Sequence, residues 1–280
     1  MFEFFASLFG YLLAFLYNLV NNYGIAIILF TVIIKLLLLP LAIKQQRTMK
    51  KSAELQEKMN QEMMDLYKSE NMSPFSGCLT AIVQMLLLLS IFYLVRAPLT
   101  YMAKIPAEDI NKYTTQLQQE GKTKTNVYPE IDIIREREWL KEKNPEDENI
   151  DKIALQMNFL GLDLSKVPQQ NISDYTVYII PLLYILSSFV SIRLSTAMQQ
   201  KQREEKQKSE VIDASTGKEL AVKDENEIDT VMQTNKMMSW MMPIMSISIA
   251  FVAPLGLALY WLVNNILMIA ERLILNKVIK

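Results

Sequence analysis

The stretch Gly24–Ile43 carries one charged side chain, Lys35, in a run that is otherwise almost wholly apolar. A bilayer core about 30 Å thick is crossed by a helix of roughly 20 apolar residues. This run therefore directs the chain into a membrane, and it is not isolated. The 280 residues are 51% hydrophobic, with the apolar residues bunched rather than dispersed. The pattern predicts an all-α polytopic membrane protein.

Composition removes whole classes of chemistry. The chain has no histidine, one cysteine and 7 glycines. Without histidine there is no Ser-His-Asp triad and no HExxH zinc motif. One cysteine excludes a disulfide framework within the chain. Neither GxxxxGK[ST] nor GxGxxG occurs, so both common nucleotide cradles are missing. No enzyme activity, cofactor or metal is expected, and Cys78 reads as a small buried hydrophobe.

The charges order the spans. Residues 1–23 lack Lys and Arg and are rich in Phe and Tyr, which suits an N-terminal helix at the headgroup level; a further span is the competing reading. The first span, 24–43, ends in a basic cluster of Lys44, Arg47, Lys50 and Lys51. The positive-inside rule then puts its start outside and its end in the cytoplasm. A cytoplasmic helical segment follows at 44–77, with Leu55, Met59, Met63 and Leu66 on one side. The second span is 78–96, and an extracytoplasmic segment occupies 97–175. The third span is 176–195, and 196–236 is a charged cytoplasmic loop. Residues 237–271 would form a helix of roughly 52 Å, too long for a bilayer. "APLG" at 253–256 breaks it into spans at 237–252 and 255–271, before a cytoplasmic tail at 272–280. Five spans result, with the N-terminus outside and the C-terminus in the cytoplasm.

Lys35 lies nine residues before Lys44, about 13 Å from the end of its helix. Its stem reaches only ~6 Å, so snorkelling alone leaves the charge short of water. An unsheltered charge there costs at least about 2.5–3.5 kcal/mol. No Asp or Glu falls within the five spans, Glu271 standing only at the end of the last, so Lys35 is expected to be unpaired within the chain. Three readings follow: a tilted helix that thins the bilayer, an aqueous cavity, or an acidic group brought by something else. Thr31, Gln84, Ser187, Ser188 and Ser191 are the polar residues that would line the cavity.

Three segments carry a resemblance: "YNLVNNYGIAIILFTVIIKLLLLPLAIKQQRTMKK", "GCLTAIVQM" and "PLGLALYWLVNNILMIAER". In order and in this topology they resemble the YidC family of membrane protein insertases, the bacterial relatives of the mitochondrial oxidase-assembly and thylakoid insertases. The form is similar to Gram-positive members. The resemblance implies a five-transmembrane-helix insertase core with an N-terminal interfacial helix in the bacterial plasma membrane. It implies a client groove marked by one basic residue, at Lys35, with Trp261 facing it. Lysine departs from the usual arginine and loses its planar fork. Ser191 stands where many relatives carry glutamine, the segment 44–77 is short, and 97–175 is long.

The partners implied are nascent integral membrane proteins and the lipid bilayer, with the ribosome, the signal recognition pathway and the Sec translocon as candidates. No sequence-specific nucleic-acid contact is expected. The methionines Met49, Met59, Met63, Met64, Met232, Met237 and Met238 suit either an adaptable client surface or plain helix packing. A small transporter or channel with a buried cationic anion site is the alternative, although no inverted repeat is visible. A structural assembly factor is the third reading.

Overall fold

Asn21 and Asn22 make the first turn of the chain. Asn21 sits in the left-handed region at φ 47°, a conformation that asparagine tolerates better than most residues. The Asn22 side chain accepts the Ile25 N–H at 3.1 Å, which caps the next helix in the manner preferred for Asn. The computed structural model describes residues 2–57, 86, 89–123, 127–214 and 248–278. On either side of the turn lie α1 (Phe2–Val20) and α2 (Tyr23–Glu57).

The Phe9 and Phe30 rings meet at 5.7 Å. Counted from the turn, these residues lie about 16 Å and about 10 Å along their helices. Helices at a right angle would hold them far apart, so α1 leans toward α2 while its Ser7 and Gly10 stay against Lys104 and Tyr101. Phe4, Leu8, Tyr11, Phe15 and Leu19 form the exposed row of α1, at the spacing of one helical face.

Among the described residues, four helices are long and apolar enough to cross a membrane: Glu3–Val20, Tyr23–Lys44, Tyr175–Met198 and Leu255–Val278. The first is the helix expected at the interface. Of the segments 78–96 and 237–252, only residues 86, 89–96 and 248–252 are described, and these are helical. Gln84, Cys78, the remainder of the segment 58–77 and the loop 215–236 lie outside the described residues. So do Met59, Met63, Met64, Met232, Met237 and Met238 and the side chains of Met49 and Leu55.

Residues 98–175 form a small helical domain whose buried residues join those of the membrane helices in one core. Its helices are α3 (Pro98–Tyr101), α4 (Ala107–Gln119), α5 (Pro129–Arg135), α6 (Arg137–Lys143) and α7 (Asn149–Lys152). Ile110, Tyr113 and Leu117 are the buried face of α4. They share an interior with Ile131, Ile133, Leu140, Ile150 and Ile153. A hairpin of β1 (Asn158–Phe159) and β2 (Leu162–Asp163) follows, with Phe159 paired to Leu162. The domain opened from a sequence that reads only as polar with one helix and one apolar patch, because its apolar residues are scattered over five short helices.

This domain is bonded to one end of the membrane helices. Tyr23 N–H donates to the Gln156 carbonyl at 3.0 Å. The last two long helices are α8 (Ile179–Ala214) and α9 (Leu255–Val278). At the start of α9, Leu255 N–H donates to Lys166 O at 2.9 Å and Gly256 N–H to Leu164 O at 3.0 Å. The helix-end donors that would otherwise be orphaned are thus satisfied by the domain. Residues 253–254 interrupt the helix ahead of α9, at the "APLG" break.

Candidate functional site: a polar seam among three parallel helices

The register of α9 decides what meets inside the bundle. A Cβ on Gly256 would lie 3.3 Å from the Tyr23 ring, at the domain end of α2. Far from that end, Lys35 of α2 reaches Glu271 of α9. Against α8, the pairs run Tyr184 with Trp261, Ser188 with Asn265 and Ser191 with Arg272. Residue numbers rise together in every case, so α2, α8 and α9 are parallel and start at the domain.

Lys35 Nζ lies 3.4 Å from Glu271 Oε2, with the side chains 21% and 17% exposed. This corrects the expectation that Lys35 is unpaired within the chain. The reason is geometric. The last helix continues past Glu271 to Val278, so the carboxylate belongs to a helix interior and not to a helix end. Lys35 sits about 18 Å along α2 from Tyr23, and Glu271 about 22 Å along α9 from Gly256. The flexible lysine stem covers that difference, and the partner spares it most of the cost of an unpaired charge.

A second row of polar groups occupies the α8–α9 contact. Asn265 Nδ2 donates to Ser187 Oγ at 3.0 Å and to Ser188 Oγ at 3.1 Å. Two turns on, Arg272 Nη1 donates to Ser191 Oγ at 3.5 Å. Among the described residues, no carboxylate lies within ion-pair distance of Arg272. Glu271 and Arg272 are adjacent on α9 and project about 100° apart, one toward α2 and the other toward α8. The seam therefore holds a neutralised pair and one further cation.

The expected residues divide as follows. Lys35, Ser187, Ser188, Ser191 and Trp261 all lie along the flanks of α9. Trp261 is buried, with its ring 6.1 Å from that of Tyr184. Thr31 is buried and donates to the Ile27 carbonyl at 2.7 Å, so its hydroxyl serves its own helix. Gln84 lies outside the described residues. Asn265, Glu271 and Arg272 are absent from the sequence-derived set. The paired asparagines inside an apolar run were the available signal for the first. For the other two, "ER" reads as the end of a span.

Beside the seam, α8 presents an exposed apolar row of Ile179, Leu182, Leu183, Leu186, Phe189 and Val190, and α9 presents Ile266, Leu273 and Ile274. A hydrogen-bonded polar interior and a greasy exterior are the arrangement expected of helices whose solvent is lipid.

The model of the family described as 60Kd inner membrane protein matches residues 15–280. The chain belongs to that family. Its curated relatives in the 60Kd inner membrane protein family include proteins named membrane protein insertase YidC. The one from Caldanaerobacter subterraneus subsp. tengcongensis is 40% identical over 101 residues, 31% of this chain and 49% of that protein. The one from Rickettsia felis is 42% identical over 96 residues, 29% of this chain and 17% of that protein. The one from Syntrophus aciditrophicus is 44% identical over 86 residues, 26% of this chain and 16% of that protein. The match thus spans half or less of each of these relatives. With its long apolar helices, this member of the 60Kd inner membrane protein family is a polytopic membrane protein.

Proposed function

We propose that the chain is a membrane protein insertase of the bacterial plasma membrane, with its N-terminus outside and its C-terminus in the cytoplasm. Polar segments of nascent membrane proteins enter the seam between α2, α8 and α9 from the end opposite the 98–175 domain. Their apolar segments pass to lipid along the exposed rows of α8 and α9. The single observation carrying this reading is a charged and amide-bearing seam inside helices long enough to span a bilayer. Hydrogen bonds from the starts of α2 and α9 to carbonyls of the domain support a closed opposite end. The names of the relatives point the same way.

The seam lowers the barrier for a short polar segment by offering it hydrogen bonds at a depth where lipid offers none. With Lys35 engaged by Glu271, Arg272 is the cation turned toward Ser191. Its guanidinium can bind a client carboxylate through two parallel hydrogen bonds. Attraction between unit charges at about 4 Å is around 1 kcal/mol in water and several-fold larger in a partly desolvated seam. The ribosome, the signal recognition pathway and the Sec translocon are the partners that would deliver such clients.

The test is a photo-crosslinking residue at Ser191, and separately at Leu186, in membranes exposed to ribosomes stalled on a single-span membrane protein. The reading expects crosslinks at both sites, and a loss at Ser191 in Arg272→Gln for a client with an acidic tail. No crosslink at either site from correctly folded protein would overturn it. Uptake of small anions by proteoliposomes would then favour the transporter reading.

A further inference from the structure

Leu160 occupies the tip of the β1–β2 hairpin and breaks two rules at once. It adopts φ 51° beside Gly161 at φ 81°, a pair of left-handed residues that such two-residue turns normally fill with Asn and Gly. It is also 86% exposed. An unfavourable backbone holding a large apolar side chain away from the core points to a surface that the side chain meets elsewhere.

The surroundings say which surface. The Phe159 ring packs against Gly24 so closely that no Cβ fits there, and Asn22 Nδ2 donates to the Asn158 carbonyl at 2.7 Å. The hairpin therefore rests on the first turn of α2, where one membrane-crossing helix begins. Its second strand packs against the Tyr175–Tyr178 turn, where the Tyr175–Met198 helix begins. Ile172 is 68% exposed and Tyr175 is 84% exposed on that rim. Tyrosine at the mouth of a span is an interfacial anchor.

The charges flanking these residues are already satisfied within the domain. Lys166 Nζ lies 2.7 Å from Asp174, and Asp163 accepts from Ser165 at 2.6 Å. We propose that Leu160, Ile172 and Tyr175 dip into the headgroup region of the adjacent leaflet. They seat the 98–175 domain on the bilayer by apolar insertion and not by attraction to anionic lipid.

The experiment uses the full chain with Cys78→Ser and Ile172→Cys, labelled with an environment-sensitive fluorophore and reconstituted into vesicles. Lipids spin-labelled at the headgroup or near the glycerol should quench the probe, and iodide should not. Quenching should be equal in phosphatidylcholine vesicles and in vesicles containing phosphatidylglycerol. Adding Leu160→Asn keeps a residue suited to the turn; it should leave the unfolding temperature unchanged while lipid quenching falls and iodide quenching rises. A probe quenched by iodide and by no lipid, or lipid quenching that requires phosphatidylglycerol, would overturn the proposal. So would lipid quenching unchanged by Leu160→Asn.

Discussion

Two glutamates, one buried in the domain and one half-buried among the membrane helices, show how differently this chain treats a carboxylate. Glu130 accepts from the N–H groups of Leu99 at 2.7 Å and Thr100 at 3.0 Å, and from the Thr100 hydroxyl at 2.5 Å. Glu271 has the Lys35 ammonium at 3.4 Å. The first carboxylate caps α3 and ties it to α5 within the domain. The second is held by one long contact on a flexible stem. A carboxylate enclosed by fixed donors is a rivet, whereas one facing a single mobile cation can exchange partners. The seam is built from the second kind of contact, which suits the proposed role of a site that opens for a client.

Removing the rivet should have the largest effect. Glu130→Ala strands two backbone N–H groups at the start of α3, and a loss on the order of 3 kcal/mol is expected. Thermal unfolding of the reconstituted protein measures it, with faster hydrogen exchange at Leu99 and Thr100 as the local signature. Gly10→Ala comes next. A Cβ there would overlap the Tyr101 carbonyl oxygen, and displacing that backbone should cost about 1–3 kcal/mol. The same unfolding assay reads it, and an unchanged midpoint would dismiss the close approach of α1 to α3.

The other side of the comparison should yield less. A double-mutant cycle of Lys35→Gln and Glu271→Gln should return a coupling of about 1 kcal/mol or less, because the pair is a single long contact on a flexible stem and interhelical polar pairs in membranes are worth about that much. A coupling several times larger would make the pair a second rivet and remove the contrast.

The smallest effect concerns acid. Asp174 accepts from the Thr176 N–H at 3.0 Å and pairs with Lys166, which lowers its pKa to about 2. A carboxyl held below its unfolded value stabilises the fold above the ordinary Asp range and loses that stabilisation as pH falls toward 2. Amide exchange at Thr176 should accelerate over that interval. Glu130 runs the opposite way. Burial raises its pKa, outweighing the Thr100 and Leu99 hydrogen bonds that lower it. Its contribution is present below the unfolded value and declines as pH rises through the folded one.

That the chain is an all-helical polytopic membrane protein was legible because lipid permits few solutions and long apolar runs become helices. Lys35 stood out in the sequence for the same reason, as one charge in such a run. Its partner did not. Glu271 lies 236 residues away, and pairing them requires knowing that α2 and α9 start level at Tyr23 and Gly256. That register is set by hydrogen bonds to the carbonyls of Gln156, Leu164 and Lys166, inside a segment whose fold the sequence barely announces. Asn265 was hidden differently, its amide being one polar group in an apolar run beside the more conspicuous Trp261.

The most direct test of a seam open from one end asks which side of the membrane reaches it. Single cysteines placed by Ser191→Cys and, separately, Leu160→Cys, each with Cys78→Ser, would be exposed to a membrane-impermeant maleimide in vesicles of both orientations. The account predicts that position 191 is labelled only from the face opposite the 98–175 domain, and position 160 only from the face carrying it. Labelling of both positions from the same face, or no labelling at 191 from either, would contradict it.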